Sequence, residues 1–282
     1  MDVATTTISL GIAVVLNRVD GNGTIWRINK DGFTGWGSPA PKWNPIPRVR
    51  QRGSTAGASF DSARVMSITG TITAQTPTAL NTAIDLLLST VTREEFLVTV
   101  TESGRARFTN SRRAGETLVP KITNLIASYS IQLESMDPRK FSSPLTASTG
   151  LPVASGGFVV PETWPLVVAG GTVSGSVSFV NTGTETGPVV VRVDGPCAPF
   201  SVAHQSPAGV STFSTSLVLN VGEFVLIDME AKTMLGNGQS SRSVFITSRA
   251  WSGFDPGNNS WAFTASSYNA ASLMTITATP AN

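Results

Sequence analysis

Hydrophobic and polar residues alternate along several stretches in the first half of this chain. In residues 125–133 one face of an extended strand would carry the apolar side chains of Leu125, Ala127, Tyr129, Ile131 and Leu133. Residues 63–74 and 94–102 show the same two-residue period. Such alternation is typical of antiparallel strands that bury one face. The pattern therefore predicts three half-buried strands.

A helical period replaces this alternation in residues 76–91. Apolar residues recur there three and four positions apart, at Leu80, Ala83, Ile84 and Leu87. Thr76 can cap the first turn, and Pro77 suits the first helical position. The sequence predicts one helix of about three turns. Because a single amphipathic helix beside a sheet is normally part of the core, we assign it no catalytic role.

The composition changes after Ser142, where Gly, Pro and Ser become frequent. Residues 143–158 are predicted to be a linker with the leading strand of a second module. Short apolar stretches separated by turn residues follow, at 172–196, 215–230, 241–251, 259–266 and 271–279. This spacing predicts a β-sandwich. We expect a mainly β protein with an N-terminal β-barrel or sandwich over 1–142, which carries the helix, and an outer β-sandwich over 159–282.

A long segment over residues 29–61 interrupts the strand pattern of the first half. It combines prolines and glycines with Trp36, Trp43 and the alternating Arg48, Arg50 and Arg52. Long irregular segments inside compact domains are often functional. Since aromatic and Arg residues are enriched at interface cores, we predict an arm that reaches a neighbouring subunit. A surface loop without a partner is the alternative interpretation.

Charge and composition exclude several classes of protein. Residues 1–142 contain 16 Lys and Arg against 11 Asp and Glu, whereas 143–282 contain 4 against 7. This split suggests two modules with different surfaces, but its density is too low for a dedicated DNA-binding protein. The single Cys197 excludes an intrachain disulfide. No apolar run approaches the roughly 18 residues of a membrane helix, and no secretory signal precedes the first strand, so no membrane insertion is expected.

The sequence offers no recognisable reaction centre. His204 is the single histidine, and its surroundings, "PFSVAHQSPAG", suggest a loop. Neither a GxSxG elbow nor a phosphate-binding glycine loop occurs, and the glycines after Asp20 suit a hairpin turn. Glu94 and Glu95 are adjacent and would point to opposite faces of a strand. We therefore predict no enzyme activity, no cofactor and no metal.

Carbohydrate binding is the alternative function, because sandwiches can hold sugars against exposed aromatic side chains. Trp164, Trp251 and Trp261 lie in the second half, and the last two are the candidate sugar platform. Burial in the core is the preferred interpretation, since tryptophan is highly buried on average. A hydrolase with an acidic pair in a cleft is a third possibility that the sequence leaves open.

Motifs along nearly the whole chain resemble one group of viral proteins. The segment "DPRKFSS" follows the strand at 125–133, and "GTIWRINKDGFTGWGSPAP" and "GASFDSARVMSITGTITA" precede it. The segments "NTGTETGPVVVRVDGP", "LNVGEFVLIDME" and "WSGFDPGNNSWAF" follow in the second half. In this order the set resembles distal tail proteins and related minor tail proteins of long-tailed, non-contractile bacteriophages. Phe254 stands where that pattern has leucine, and a final aromatic tail is missing.

The resemblance implies a tail-tube-like first domain and a galectin-like or jelly-roll second domain. It also implies a homohexameric ring at the distal end of the tail in the virion, with a lumen through which DNA passes. The implied partners are the tail tube protein, the tail tip or hub, and receptor-binding or tape-measure proteins.

The segment around "DPRKFSS" is the predicted domain junction. There Pro138 would end the last strand of the first domain, Phe141 would pack beneath it, and Asp137 would cap or pair locally. Arg139 and Lys140 would lie at the junction as its two cations.

Overall fold

The computed structural model describes residues 6–152 and 175–282 and confirms a mainly β chain. Two compact units are present, Met1–Lys140 and Phe141–Asn282. The division lies two residues before the predicted end of the first domain, so Phe141 belongs to the second unit. Residues 153–158 of the predicted linker, the start of the predicted second domain at 159, and Trp164 lie outside the described residues.

An eight-stranded antiparallel sheet forms the body of the first unit. Its order is β2-β1-β10-β11-β12-β9-β4-β3, and the described strands do not close into a barrel. The three strands predicted from alternation are confirmed as β9, β10 and β12. The strands of this sheet are β1 (Thr6–Leu10), β2 (Val14–Leu16), β3 (Arg18–Val19), β4 (Ile25–Thr34), β9 (Arg64–Thr73), β10 (Phe96–Glu102), β11 (Arg105–Arg113) and β12 (Ile126–Ser135).

The single α-helix of the described residues, α1 (Pro77–Thr90), covers one face of this sheet, and a short 3-10 helix (Ser243–Phe245) lies in the second unit. The hydroxyl oxygen of Thr76 accepts a hydrogen bond from the backbone N–H of Ala79 at 3.1 Å, which caps the first turn as predicted. At 14 residues the helix is about one turn longer than predicted. Leu87, the last apolar position of the predicted pattern, is fully buried.

Gly70 allows two strands and an aromatic ring to meet in the core of the first unit. The hydroxyl of Tyr129 donates to the backbone carbonyl of Arg27 at 3.0 Å. A Cβ at Gly70 would lie only 2.0 Å from that carbonyl oxygen and 2.3 Å from the hydroxyl. The glycine in the middle of β9 is therefore required by close approach of its neighbours.

The second unit is a β-sandwich, as predicted. Its six-stranded sheet has the order β13-β23-β15-β18-β19-β20, and its five-stranded sheet has the order β14-β22-β16-β17-β21. Inner faces of both sheets meet in one core that contains Val191 and Ile276 from the first and Phe213 and Phe263 from the second. The strands are β13 (Leu145–Gly150), β14 (Ser176–Asn181), β15 (Val189–Asp194), β16 (Phe200–Ser206), β17 (Gly209–Thr215), β18 (Phe224–Asp228), β19 (Thr233–Gly236), β20 (Ser240–Ser241), β21 (Ile246–Arg249), β22 (Gly257–Ala265) and β23 (Leu273–Ala278).

The hairpin of β16 and β17 corrects the sequence analysis. The segment around His204 was expected to be a loop, but β16 pairs with both β17 and β22 inside the sheet. His204 occupies an inward position together with Phe200 and Val202. A polar imidazole at an apolar position concealed the alternation.

The helix provides a matched test of the core. Leu80 is 1% exposed, whereas Leu88, of the same chemistry in the same helix, is 42% exposed. We expect Leu80→Ala to lower the free energy of unfolding of the first unit by about 2–5 kcal/mol, because it removes buried methyl groups and leaves a cavity. Leu88→Ala should change it by about 0.5 kcal/mol or less. Denaturant unfolding checks both, and equal effects would contradict the described packing of α1.

Candidate functional site

A β-hairpin projects between β4 and β9 of the first unit. Strand β5 (Pro41–Trp43) pairs with β8 (Ser59–Asp61), and β6 (Ile46–Pro47) pairs with β7 (Ser54–Thr55). The predicted arm began at residue 29, but residues 29–34 belong to β4. We call residues 41–61 the hairpin arm. Seven residues from base to turn give it a length on the order of 23 Å.

The hairpin arm exposes large apolar side chains and a basic tip. Trp43 is 58% exposed and Phe60 67% exposed, and Ile46 and Val49 are also exposed. The backbone N–H of Arg48 donates to the carbonyl of Gly53 at 3.2 Å and closes the tip. Three exposed cations lie in or beside this turn, Arg48, Arg50 and Arg52. A two-stranded hairpin without a packed face is marginally stable in water, so this surface is the strongest candidate for contact with another chain.

Trp36 does not belong to the exposed part of the arm, which corrects its prediction as an inter-subunit anchor. It is 4% exposed and lies in the core of its own unit. Its indole Nε1 donates to Glu102 Oε2 at 3.3 Å. The same carboxylate oxygen accepts from Arg107 Nη2 at 2.7 Å. Trp36 therefore fixes the base of the hairpin arm, and Trp43 is left as its exposed tryptophan.

A buried arginine ties this base to the end of the unit. Arg64 is 2% exposed, and within the described residues its guanidinium donates only to backbone carbonyls. Nε and Nη2 bind the oxygen of Pro138 at 2.9 and 2.6 Å. Nη1 binds the oxygens of Gly35 at 3.0 Å and Gly37 at 2.6 Å. We call this arrangement the Arg64 clamp. The clamp was not predicted from the sequence. The available signal was Arg64 itself, a charged residue at an inward position of β9.

Some of the predicted junction residues pair with each other, and one of them belongs to the Arg64 clamp. Asp137 pairs with Arg139, whose Nη2 lies 2.6 Å from Oδ2 and whose backbone N–H donates to Oδ1 at 2.9 Å. Burial alone would raise the pKa of Asp137, but the hydrogen bonds and charge of Arg139 outweigh it and hold that pKa below its usual value. Pro138 contributes its carbonyl to the clamp. Phe141 is buried in the second unit and forms a bridge with Ala281.

Lys140 completes a cluster of cations around one indole ring. Its Nζ lies 5.2 Å from the centroid of the Trp36 ring, and the guanidinium carbons of Arg64 and Arg107 lie 5.7 and 5.9 Å from that centroid. Burial, and then the charges of Arg64 and Arg107, lower the pKa of Lys140 to about 8. We call Trp36, Arg64, Arg107 and Lys140 the cation cage.

The predicted sugar platform is not formed by its two tryptophans. Trp261 is fully buried and stacks on the His204 ring at a centroid distance of 4.6 Å. Trp251 is half-buried and packs on Phe213 at 5.1 Å. The preferred interpretation, burial in the core, is therefore correct for Trp261.

The histidine and the cysteine of the second unit, His204 and Cys197, are both buried. His204 Nε2 lies 2.9 Å from Asn259 Oδ1, and burial lowers the pKa of His204. Burial likewise raises the pKa of the Cys197 thiol. Across residues 6–152 and 175–282, no group of three His, Cys, Asp or Glu side chains is placed to hold a metal ion. No helix in the same residues has the length and apolarity that crossing a bilayer requires.

Comparison with solved structures finds phage adsorption-apparatus and baseplate proteins. The Dit protein of phage SPP1, described as a paradigm of the hub adsorption apparatus in phages infecting Gram-positive bacteria, matches with a TM-score of 0.61. It covers 90% of this chain and 93% of its own, at 12% identity. This chain has the Dit fold. The resemblance to phage distal tail proteins is thus confirmed at the level of the fold.

The likeness extends to a second phage. Chains of the phage P2 baseplate in its activated conformation, with Ca or with Sr, match with TM-scores of 0.52 and 0.53. Identities are 10% and 9%, and the matches cover 97% and 96% of this chain and 97% of each baseplate chain. No protein family and no curated protein matches at the level of sequence. The Dit-like fold therefore extends over nearly the whole length of this chain.

The Arg64 clamp predicts that lysine cannot replace this arginine. Arg64→Lys keeps the charge but loses the planar fork that reaches three carbonyls. We expect a loss of about 3 kcal/mol or more in the unfolding free energy of the first unit. Arg27→Lys, at an exposed side chain of β4, is the matched control and should change it by about 0.5 kcal/mol or less. Calorimetry measures both, and an unchanged Arg64→Lys transition would rule out the clamp.

His204 predicts how the second unit responds to acid. Because its folded pKa is depressed, the unit has its full stability above the unfolded pKa of about 6.5. Stability should fall as pH drops below that value through the folded pKa. We expect the thermal midpoint of the second unit to decrease between pH 7.5 and 5.5 in the wild type. His204→Gln should show a flatter profile over the same range, and equal slopes in the two proteins would contradict the assignment.

Proposed function

We propose that this protein is a structural component of a phage tail tip that forms a ring at the distal end of the tail. The observation that carries the proposal is the likeness to the SPP1 Dit hub protein over nearly the full length of both chains. An exposed apolar and basic hairpin arm supports it, since such a surface suits assembly with another chain.

Assembly in a ring uses heterologous contacts, in which one patch meets a different patch on the next copy. The hairpin arm supplies one patch through Trp43 and Phe60, with Arg48, Arg50 and Arg52 available to pair with carboxylates. Aromatic and Arg side chains dominate binding energy at interface centres. The arm also has unpaired strand edges, which contact with a neighbour would cover.

The finer features of the proposal come from the sequence resemblance. They are six copies, a lumen for DNA without sequence-specific binding, and a place between the tail tube and the tip apparatus of the virion. Receptor-binding and tape-measure proteins are the further partners. The protein would act by mechanical connection without catalysis.

The carbohydrate-binding alternative has lost its main support, because Trp261 is buried and Trp251 packs on Phe213. The hydrolase alternative needs a carboxylate pair in a cleft. Glu94 and Glu95 lie side by side in an exposed turn after α1. Neither function therefore has an observation that favours it over assembly.

Removal of the hairpin arm tests the proposal directly. Replacing residues 42–60 by a short Gly-Ser turn should leave the first unit folded, because nearly all of the removed side chains are exposed. We expect the wild type to sediment as a closed oligomer and the shortened protein as a monomer. Sedimentation velocity over a range of concentrations measures this, and electron microscopy shows whether rings form.

Point variants test whether association depends on the apolar side chains of the arm in particular or on exposed apolar surface in general. Trp43→Ala and Phe60→Ala should each weaken association by about tenfold or more. Val210→Ala, at a similarly exposed apolar residue of the second unit, serves as the control and should assemble normally. Full assembly of the shortened protein would discard the role of the arm, and a wild type that stays monomeric would discard the ring.

A further inference from the structure

The cation cage contains more positive charge than its carboxylates can balance. Three cations lie within 6 Å of the Trp36 centroid. Glu102 is the carboxylate bound there, and its Oε2 is occupied by Trp36 Nε1 and by Arg107. Two further acids act on Arg64, Asp61 and Asp137, and Asp137 is engaged by Arg139. Arg64 donates its hydrogen bonds to backbone carbonyls, and Asp61 and Asp137 act on its charge without forming a hydrogen bond to it among the described residues.

Two donors of the cage have no hydrogen-bond acceptor among the described residues. Lys140 forms no salt bridge there, and its described contact is with the face of the Trp36 ring. Arg107 Nε is buried and has no hydrogen-bond partner. A half-buried ammonium beside an unsatisfied guanidinium N–H is costly unless an anion completes the group. Both observations show that the cage has more cationic donors than acceptors, and the half-buried Lys140 is the donor that an outside carboxylate can reach.

The chain itself exposes carboxylates that could fill the cage of another copy. Glu94 and Glu95 are adjacent in the turn between α1 and β10, and both are exposed. Neither forms a salt bridge within the described residues. In a closed ring a basic site on one copy meets a different surface of the next copy, so complementary charge fixes the register of the contact.

We propose that the cation cage receives a carboxylate side chain from a neighbouring copy of this chain, from Glu94 or Glu95, and that this pair sets the register of the ring. The inference rests on the proposed function. The carboxylate would accept a hydrogen bond from Lys140 Nζ and would be attracted by the charges of Arg64 and Arg107.

Association should therefore be coupled to the protonation of Lys140. The groups that face it are Arg64 from β9, Arg105 and Arg107 from β11 and Glu102 from β10, with Asp137 and Arg139 in its own segment. A carboxylate of the neighbour raises the pKa of Lys140 from its value of about 8 in the free chain. Assembly is then fully favoured below pH 8 and weakens as pH rises through the higher pKa of the assembled state.

The experiment compares the full-length wild type, Lys140→Gln and Lys30→Gln by sedimentation velocity between pH 7 and pH 10. Lys30 is an exposed lysine of β4 and is the matched control. We expect Lys140→Gln to weaken association by about tenfold or more at pH 7 and to lose the decline above pH 8. Lys30→Gln should behave as the wild type does. Calorimetry on each variant confirms that the first unit remains folded.

Charge reversal identifies the source of the carboxylate. Lys140→Glu should abolish assembly, and a second change, Glu94→Lys or Glu95→Lys, should restore it in part. Rings formed equally by Lys140→Gln and the wild type, with the same pH profile, would overturn this inference and leave the proposed function intact. If Lys140→Gln assembles as the wild type does but no longer binds an oligonucleotide, the ligand of the cage is a phosphate group, and this inference is overturned. A wild type that never assembles would overturn the proposed function and this inference together.

Discussion

The first unit depends on one buried guanidinium. Arg64 binds the carbonyls of Gly35 and Gly37 on one side and that of Pro138 on the other, so segments distant in sequence share a single donor group. Each carbonyl belongs to irregular backbone that has no sheet partner at that point, and each would be costly if buried without a donor. The planar fork of arginine reaches them together, which an ammonium cannot do. The clamp therefore fixes where the hairpin arm begins and where the unit ends.

This arrangement has an electrostatic consequence. A cation buried against carbonyl dipoles keeps its charge, and that charge acts on neighbouring groups through a medium of low polarity. Lys140 follows the clamped Pro138 by two residues, and Trp36 lies between the two glycines of the clamp. The clamp therefore brings Lys140 to the indole ring that Arg107, bound by Glu102, also approaches. The excess positive charge of the cation cage follows from the way the backbone is held.

Much of the fold could be predicted because local periodicity and core burial agree. The alternation around Tyr129 and the capped helix after Thr76 each specify a buried face, and the structure has both. Strand β16 was missed because His204 occupies an inward position whose imidazole is satisfied by Asn259, a residue 55 positions away. Trp36 and Trp43 were treated alike for a similar reason. Nothing local distinguishes them, and only the distant residues Arg64 and Glu102 make one of them part of the core.

The hairpin arm and the cation cage differ in what they would contribute to assembly. Trp43 and Phe60 offer apolar area, which gives affinity but tolerates shifts in register. A half-buried cation such as Lys140 restricts the position of its carboxylate partner more strongly, because the attraction between them falls steeply once water lies between the two groups. A ring that used the arm alone could associate in several registers, whereas closure needs the same rotation at every interface. The arm would therefore supply the strength of the contact, and the cage would select the one geometry that closes.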